Sequence, residues 1–269
     1  MRFREFIKGS IGWERLESVM REVARRYGED ELRVDFLAVD NWLSTPCAVN
    51  DRWFVKVISE QHVHVHTLIT TGRNLGAFSS GRVGFFEHVG TPIELAEQEL
   101  EATRTMRDIG VSVPEPIEAF EHGGCGVLVV EYLPDFHTLS QLEGDAVEQV
   151  APDLFTSLVR MHDIGIAHGD LRAENVLVAN DELYLIDATN VREGAIKEAR
   201  AYDLACVLAA LEPHIGARAA LEAGRESYTV NDFLAARAFL DFVNIRPDHD
   251  FDAASVKGEI EKNADRIDT

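Results

Sequence analysis

Lysine is scarce in this sequence of 269 residues. Five lysines stand among 26 basic residues, against 47 aspartates and glutamates, and the formal net charge is −21. A surface this acidic repels phosphate backbones, which excludes a broad nucleic-acid-binding face but leaves room for a local basic patch. Acidic excess with few lysines suits a salt-rich cytosol, because carboxylates hold water and salt screens their mutual repulsion. We therefore expect an acidic, halophile-like protein.

Cysteines are few, odd in number and far apart, at Cys47, Cys125 and Cys206. Because no Cys-x-x-Cys pair is present, the sequence indicates neither a disulfide framework nor a zinc site. No apolar run approaches 18 residues, and the first ten residues are too charged for a signal peptide. These absences predict a cytoplasmic protein with no membrane partner.

The pattern of apolar residues changes near Pro134, from short β-rich runs to mostly helices. Before this point the periodicity predicts helices at 11–27 and 92–109, and strands at 32–39, 46–50, 52–58, 116–121 and 126–132. After it, we expect helices at 145–164, 197–212, 217–224, 230–243 and 254–264, with one β pair at 175–179 and 183–187. Strands with one main helix, followed by helices with one β pair, indicate an α+β fold in two lobes.

This organisation predicts an N-terminal helical extension at 1–30, a β-rich N-lobe at 31–133 and a helical C-lobe at 134–269. Within the N-lobe, residues 71–91 carry five glycines and few periodic apolar positions, so we expect a flexible insertion there. The alternating run HVHVHTLI before it predicts a further strand, with its three histidines on a solvent-facing side.

Polar residues suited to chemistry are concentrated at 167–189, AHGDLRAENVLVANDELYLIDAT. Asp170 and Asn175 fall in an irregular loop between a helix and a strand, and Asp187 ends the next strand. Two carboxylates and one amide brought together by a tight β pair form an oxygen-rich site suited to Mg²⁺. A carboxylate that is not used by the metal can orient a hydroxyl for attack.

The segments 168–175 (HGDLRAEN) and 185–187 (LID) resemble the catalytic loop and the metal-binding segment of protein-kinase-like phosphotransferases. The resemblance implies an ATP- and Mg²⁺-dependent kinase in which Asp170 is catalytic and Asn175 and Asp187 hold the metal. It also implies a two-lobed fold that binds Mg·ATP in its cleft.

Three further residues take roles from the same resemblance. His168 would order the loop, and Asp203 in Ala201-Tyr202-Asp203-Leu204-Ala205 resembles the helix-start aspartate that braces the catalytic loop from beneath. Arg172 lies where many protein kinases carry a lysine near the γ-phosphate, so either phosphate contact or simple solvation is open to it.

Kinase-like folds also need a strand lysine on the α- and β-phosphates, paired with a helix glutamate. Lys56 lies in the apolar strand Phe54-Val55-Lys56-Val57, where a charge is costly without a partner, and no other lysine occurs between residues 8 and 197. Related families place the glutamate eleven residues before the glycine that ends the helix. Gly110 therefore selects Glu99.

The remaining nucleotide contacts are implied by position alone. The segment 128–133 (LVVEYL) resembles the strand and hinge that receive adenine, which assigns Glu131 and Leu133 to ATP binding. The glycine-rich phosphate loop is missing: residues 40–46 read DNWLSTP, where Ser44 and Thr45 could still donate to phosphate but Pro46 has no N–H. The metal segment also lacks the usual Phe-Gly after Asp187. Both departures predict slow turnover or a nucleotide-driven switch that hydrolyses ATP.

Within the kinase-like proteins, the His-Gly-Asp sequence, the compact helical lobe and the absence of Ala-Pro-Glu after Asp187 are most similar to RIO-type atypical serine/threonine kinases. The resemblance spans about residues 32–212. It implies a RIO-like Ser/Thr protein kinase or ATPase with an unidentified hydroxyl acceptor. Two alternatives stay open: an aminoglycoside-type small-molecule kinase, which shares the same motifs, and a nucleotide-binding regulatory pseudokinase.

Overall fold

The protein was studied as a computed structural model, which describes residues 11–37, 44–63, 90–188, 196–246 and 249–266. These residues form two compact units. The N-terminal unit consists of the described residues up to 104 and of residues 114–134. The C-terminal unit consists of residues 105–113 and of the described residues from 135 onward. The flexible insertion predicted at 71–91 lies outside the described residues except at its last two positions.

The N-terminal unit is built on a five-stranded antiparallel sheet. Its strands are β1 (Val34–Phe36), β2 (Thr45–Val49), β3 (Trp53–Ile58), β4 (Pro116–His122) and β5 (Cys125–Glu131). They lie side by side in the order β1-β2-β3-β5-β4. In the central strand β3, Lys56 lies opposite Pro46 of β2 and Leu128 of β5.

One helix packs on each face of this sheet, since side chains alternate between the faces along every strand. Helix α1 (Trp13–Tyr27) buries its apolar side against the face that carries Val55 and Val57. Helix α2 (Pro92–Asp108) packs Ala96 and Leu100 against the other face. The helix predicted at 11–27 is therefore part of the core of this unit.

The approach of α2 to the sheet depends on a glycine. A Cβ added to Gly126 in β5 would stand 2.0 Å from the carbonyl oxygen of Pro92, the first residue of α2. Only a residue without a side chain permits this distance, so Gly126 fixes where α2 begins and how closely it lies on β5.

The C-terminal unit is mainly helical. Its helices are α3 (Gly144–Asp163), α4 (Ile196–Gly224), α5 (Val230–Arg237), α6 (Leu240–Ile245) and α7 (Ala253–Asp265). A small antiparallel sheet is formed by β6 (His137–Thr138), β7 (Val176–Ala179) and β8 (Glu182–Leu185). Helix α4 is interrupted at Gly216, whose φ of 76° and ψ of 158° are not helical. This interruption separates the two helices predicted at 197–212 and 217–224.

The α+β class predicted from the sequence is confirmed. The helices predicted at 92–109 and 145–164 begin and end within one residue of the predicted limits. The strand predicted at HVHVHTLI is wrong at its start, because residues 60–63 are helical. His62 is buried instead of facing solvent, and its Nδ1 accepts from the backbone N–H of Ser59 at 3.0 Å. His64 and His66 lie outside the described residues.

In the described part of the chain, α4 alone is long and apolar enough to cross a membrane by length and composition. Its most apolar window has a mean hydropathy of 1.3, and 61% of that window is buried inside the protein. Because the helix also carries the buried Asp203, we interpret it as a core helix of the C-terminal unit.

Candidate active site

In the N-terminal unit the structure pairs the two residues that the sequence selected. Lys56 Nζ donates to both carboxylate oxygens of Glu99, at 2.8 Å each. Lys56 lies on the face of β3 that meets α2, and its side chain is 6% exposed against 17% for Glu99. A lysine buried in an apolar strand requires such a partner, because an unpaired ammonium there would be strongly disfavoured.

Thr45 is the first residue of β2, the strand beside the one that carries Lys56, and Ser44 directly precedes it. Ser44 is buried, and its hydroxyl has no hydrogen-bond partner among the residues that the structure describes. Buried hydroxyls are normally satisfied, so Ser44 is suited to donate to a ligand. The neighbouring residues 38–43, which include most of the segment that replaces the glycine-rich loop, are outside the described chain.

Glu131 ends β5, and Leu133 follows it two residues later. The backbone N–H of Glu131 donates to the carbonyl of Glu115 at 2.9 Å, and that of Tyr132 to the carbonyl of Arg52 at 3.0 Å. These bonds fix the end of the strand. They also use the Glu131 N–H, which is therefore not available to a ligand.

In the C-terminal unit the loop His168-Gly169-Asp170 is buried. Gly169 has a φ of 76°, a left-handed conformation that a residue with a side chain adopts only at a cost. This turn brings the backbone N–H groups of His168 and Gly169 toward the same carboxylate. They donate to Asp203 Oδ2 and Oδ1 at 2.7 and 2.8 Å.

Asp203 also contacts His162, whose Nε2 lies 3.1 Å from Oδ2. Since a carboxylate only accepts, this nitrogen carries the hydrogen, and in the neutral ring Nδ1 accepts from the hydroxyl of Tyr228 at 2.7 Å. Burial raises the pKa of Tyr228, which keeps the hydroxyl protonated as this bond requires. Asp203 lies about two turns inside α4, not at its start as the resemblance implied.

Asn175 and Asp187 are the two residues that the sequence predicts as metal ligands. The Asn175 amide donates to the carbonyl of Asp170 at 2.8 Å, which leaves its oxygen as the end of the amide able to bind a cation. The Ile186 N–H donates to the carbonyl of Asn175 at 3.1 Å and so brings the residue before Asp187 beside Asn175. One amide and one carboxylate fit Mg²⁺, which keeps most of its remaining ligands as water and phosphate oxygens.

The described residues contain no group of three or more His, Cys, Asp or Glu side chains able to hold a metal ion. A structural zinc site, which needs three or four converging protein ligands, is therefore absent from this part of the chain. Asp187 itself has a φ of 61°, a conformation that aspartate tolerates better than most side chains.

Two arginines contact the carboxylate of Asp170. Arg172, from the same loop, has its Nε 3.7 Å from Oδ2, and its Nη2 is 3.5 Å from the Asn175 oxygen. Arg246, from the segment after α6, donates from Nη2 to Oδ1 at 2.9 Å. Sequence reasoning missed Arg246 because the two residues are 76 positions apart and no local pattern marks the arginine.

His168 has a lowered pKa because the ring is buried. The carboxylates of Asp203, Asp170 and Asp187 and a hydrogen bond with the Ile186 backbone act in the opposite direction and offset only part of this shift. The ring is therefore neutral near pH 7, which suits the ordering role predicted for it and not proton donation.

Together, the paired lysine and the braced aspartate loop are the features of a kinase-like phosphotransferase. A model of the RIO domain family matches residues 88–216, which contain Glu99, the loop at 168–170 and Asp203. This stretch is slightly less than half of the chain, and over it the resemblance to RIO-type kinases is confirmed. Lys56 and Arg246 lie outside the matched residues.

Among curated proteins, a probable bifunctional tRNA threonylcarbamoyladenosine biosynthesis protein of Methanocorpusculum labreanum is 32% identical over 77 residues. These residues are 26% of this chain and only 15% of that protein. Among solved structures, an aminoglycoside-3'-phosphotransferase of type VIII has a TM-score of 0.49 and 18% identity, over 86% of this chain and 99% of that one. Rad53 1-466 in complex with AMP-PNP has a TM-score of 0.49 and 14% identity, over 91% and 64%.

Proposed function

We propose that the protein is an ATP- and Mg²⁺-dependent phosphotransferase, a RIO-like atypical Ser/Thr protein kinase or ATPase. The observation that carries this proposal is the Asp170 loop. Its backbone is held by Asp203 and by the Asn175 amide, and its carboxylate lies within the C-terminal unit in contact with two guanidinium groups. Phosphoryl transfer needs this kind of fixed positioning more than it needs a strong base.

In this proposal Lys56 binds the α- and β-phosphates of ATP. The bidentate ion pair with Glu99 fixes the ammonium in place and removes rotamers that would otherwise have to be frozen when the nucleotide binds. Ser44 donates its buried hydroxyl to a phosphate oxygen and Thr45 assists it, in place of glycine N–H groups. Glu131 and Leu133 recognise the adenine through their backbone groups.

Asn175 and Asp187 would hold Mg²⁺, which when bound neutralises charge on the phosphates. The Asn175 side chain is oriented for this by its own bond to the Asp170 carbonyl. One short segment thus sets both the metal ligand and the catalytic carboxylate, so a displacement of the loop would affect the two together.

Asp170 orients the attacking hydroxyl, of a serine or threonine side chain or of water, by accepting its hydrogen. The oxygen forms a bond to the γ-phosphorus, the bond from that phosphorus to the ADP oxygen breaks, and the proton passes to Asp170. Arg172, which already lies beside Asp170 and Asn175, would counter the negative charge on the transferring group.

The experiment that tests the proposal is ATP turnover by the purified protein in high-salt buffer with Mg²⁺. Asp170→Asn and Asp187→Ala should each lower turnover by at least about 100-fold. Asp181→Asn is the matched control, since Asp181 is an exposed acid in the same β pair with a similar φ of 62°, and it should behave as the wild type. Wild-type turnover in Asp170→Asn would reject the proposed role of this loop.

The acceptor is identified in the same preparation. Labelled phosphate on this or another protein would identify a protein kinase, whereas release of free phosphate alone would identify an ATPase. Selective labelling of a metabolite without protein labelling would instead favour a small-molecule kinase, and nucleotide binding without any turnover would favour a regulatory pseudokinase. We place this activity in the cytoplasm, as the charge and the sequence pattern predict.

A further inference from the structure

Arg246 connects the last third of the chain to the catalytic carboxylate. It follows α6 directly, outside the residues that match the RIO domain, and only 9% of its side chain is exposed. One end of its guanidinium donates to Asp170 Oδ1 at 2.9 Å, and the other end, Nη1, donates to the hydroxyl of Tyr202. The planar group is thus held at both ends.

The surroundings of Arg246 fix its position. Tyr202 is fully buried in α4, and its ring lies 6.0 Å from the rings of Phe239 and Phe242, which flank the start of α6. The turn that carries Arg246 is closed by its own N–H, which donates to the carbonyl of Val243 at 3.0 Å. Apolar packing and a backbone bond therefore determine where the guanidinium lies.

A contribution to stability alone does not account well for this pair. Both side chains are almost completely buried, at 9% and 6% exposure, so the loss of hydration offsets much of their attraction. An arginine offers a rigid fork that a lysine cannot, and here both arms are used. The geometry therefore indicates that Arg246 controls the orientation of the Asp170 carboxylate.

We propose that Arg246 is a positioning residue that holds the Asp170 carboxylate in the orientation required for phosphoryl transfer. The inference rests on the proposed function, because it assigns Asp170 its catalytic role. Helix α4 then fixes the loop twice through consecutive residues: Asp203 binds the backbone of His168 and Gly169, and Tyr202 binds the arginine that orients the Asp170 side chain.

The chain beyond the RIO domain is by this account part of the catalytic apparatus. Arg172 reaches the same carboxylate, but from the loop itself and at 3.7 Å, so it moves with Asp170 and cannot fix the carboxylate relative to the rest of the unit. Arg246 is carried by a separate helical segment and can do so.

The test is steady-state kinetics of the full-length protein carrying Arg246→Met, Arg246→Lys or Tyr202→Phe. Arg246→Met should lower kcat by about 10- to 100-fold with the KM for ATP unchanged, since misplacement of the attacking group affects the transition state and not nucleotide binding. Arg246→Lys should retain part of the activity, and Tyr202→Phe should show a smaller loss in kcat. Millimolar guanidinium ion should restore part of the activity of Arg246→Met.

The matched control is Arg237→Met, which removes an exposed arginine that pairs with Glu261 in the same unit. It should leave kcat and KM unchanged. An Arg246→Met enzyme with wild-type kcat would overturn the inference, and so would an increase in kcat, which would make the contact inhibitory.

A crystal structure of Arg246→Met separates this inference from the proposed function, because it needs no activity. We expect the Asp170 side chain to take another rotamer or several, while the backbone from 168 to 170 stays on Asp203. An unchanged, singly ordered Asp170 would refute the positioning role even in a protein without turnover. Conversely, a wild-type protein without turnover but with a displaced Asp170 in the variant would refute the proposed function alone.

Discussion

The two units hold their functional residues in different ways. In the N-terminal unit the ion pair Lys56–Glu99 joins a strand to a helix 43 residues away. In the C-terminal unit Asp203 accepts from the backbone N–H groups of His168 and Gly169. Asn175 donates to the carbonyl of Asp170, and Arg246 donates to its carboxylate. The first arrangement joins two side chains, whereas the second fixes a loop through both its backbone and a side chain.

Burial follows the same division. Glu99 keeps 17% of its side chain exposed, so water can solvate it if Lys56 is lost. The side chains of Asp203 and His162 are completely inaccessible, so the groups they bind have no access to water as a substitute. The first arrangement suits the nucleotide-binding role proposed for Lys56, which has to accommodate a ligand, and the second suits the catalytic role proposed for Asp170, whose carboxylate must not move.

The largest effect on stability should come from Asp203→Ala. It leaves two buried backbone N–H groups without an acceptor, those of His168 and Gly169, and should lower the free energy of unfolding by about 3–5 kcal/mol. Urea unfolding monitored by circular dichroism measures it. The control is Glu222→Ala, at an exposed acid of the same helix whose partner is Arg225 just beyond the helix end. This change should cost less than about 0.5 kcal/mol. A similar cost for the two variants would contradict the bracing role.

Gly126→Ala tests how the N-terminal unit positions α2 and thus Glu99. Because the new Cβ would meet the Pro92 carbonyl at 2.0 Å, the helix must shift, and we expect a loss of about 1–3 kcal/mol with weaker ATP binding. The control is Gly258→Ala in α7, where nothing lies within 4 Å of the added atom. That change should stabilise the protein by about 0.5–1 kcal/mol.

Much of this arrangement could be predicted from the sequence, because local signals encode it. Lys56 is the only lysine in a long stretch, and Gly110 gave the register that selects Glu99, which the bidentate pair now supports. The limits of α2 and α3 followed from apolar periodicity and the glycine or turn residues at their ends. These features depend on residues close together in the chain.

What the sequence did not reveal depends on individual side-chain contacts, some of them between residues far apart in the chain. Arg246 and Tyr202 reach Asp170 through the packing of α4 against the segment after α6, and no spacing rule relates them. The alternation of HVHVHTLI predicted a strand, yet a capping contact between Ser59 and His62 favours a helical turn at 60–63. In both cases a tertiary or capping contact decided the outcome.

Lys56→Met would sharpen the comparison between the two sites. It removes the ammonium but keeps the apolar stem, so we expect at most about 1–2 kcal/mol of lost stability, because the partly exposed Glu99 can be hydrated. ATP affinity measured by calorimetry should nevertheless fall by about 10-fold or more. Glu99→Gln is the companion variant, which removes the negative charge of the pair instead of the positive one. If Lys56→Met cost as much stability as Asp203→Ala, the two sites would be equally rigid.

The smallest expected effect is on the pH dependence of stability and concerns His168. Burial lowers its pKa in the folded protein, whereas in the unfolded chain a histidine titrates near about pH 6.5. Below that pH the unfolded chain takes up a proton that the folded ring refuses. Stability is therefore fully present above about pH 6.5 and falls as the pH drops toward the folded pKa, by up to about 1.4 kcal/mol per pH unit.

Urea unfolding between pH 8 and pH 5.5 measures this dependence, with His168→Gln as the variant that cannot titrate. The variant will be less stable overall, but its stability should fall less steeply with decreasing pH than that of the wild type, and the difference between the two slopes isolates His168 from the other histidines. Parallel slopes would mean that the folded ring takes up a proton as readily as the ring in the unfolded chain. The loop at 168–170 would then carry a pH-dependent charge, and the contrast between this fixed loop and the Lys56–Glu99 ion pair would be lost.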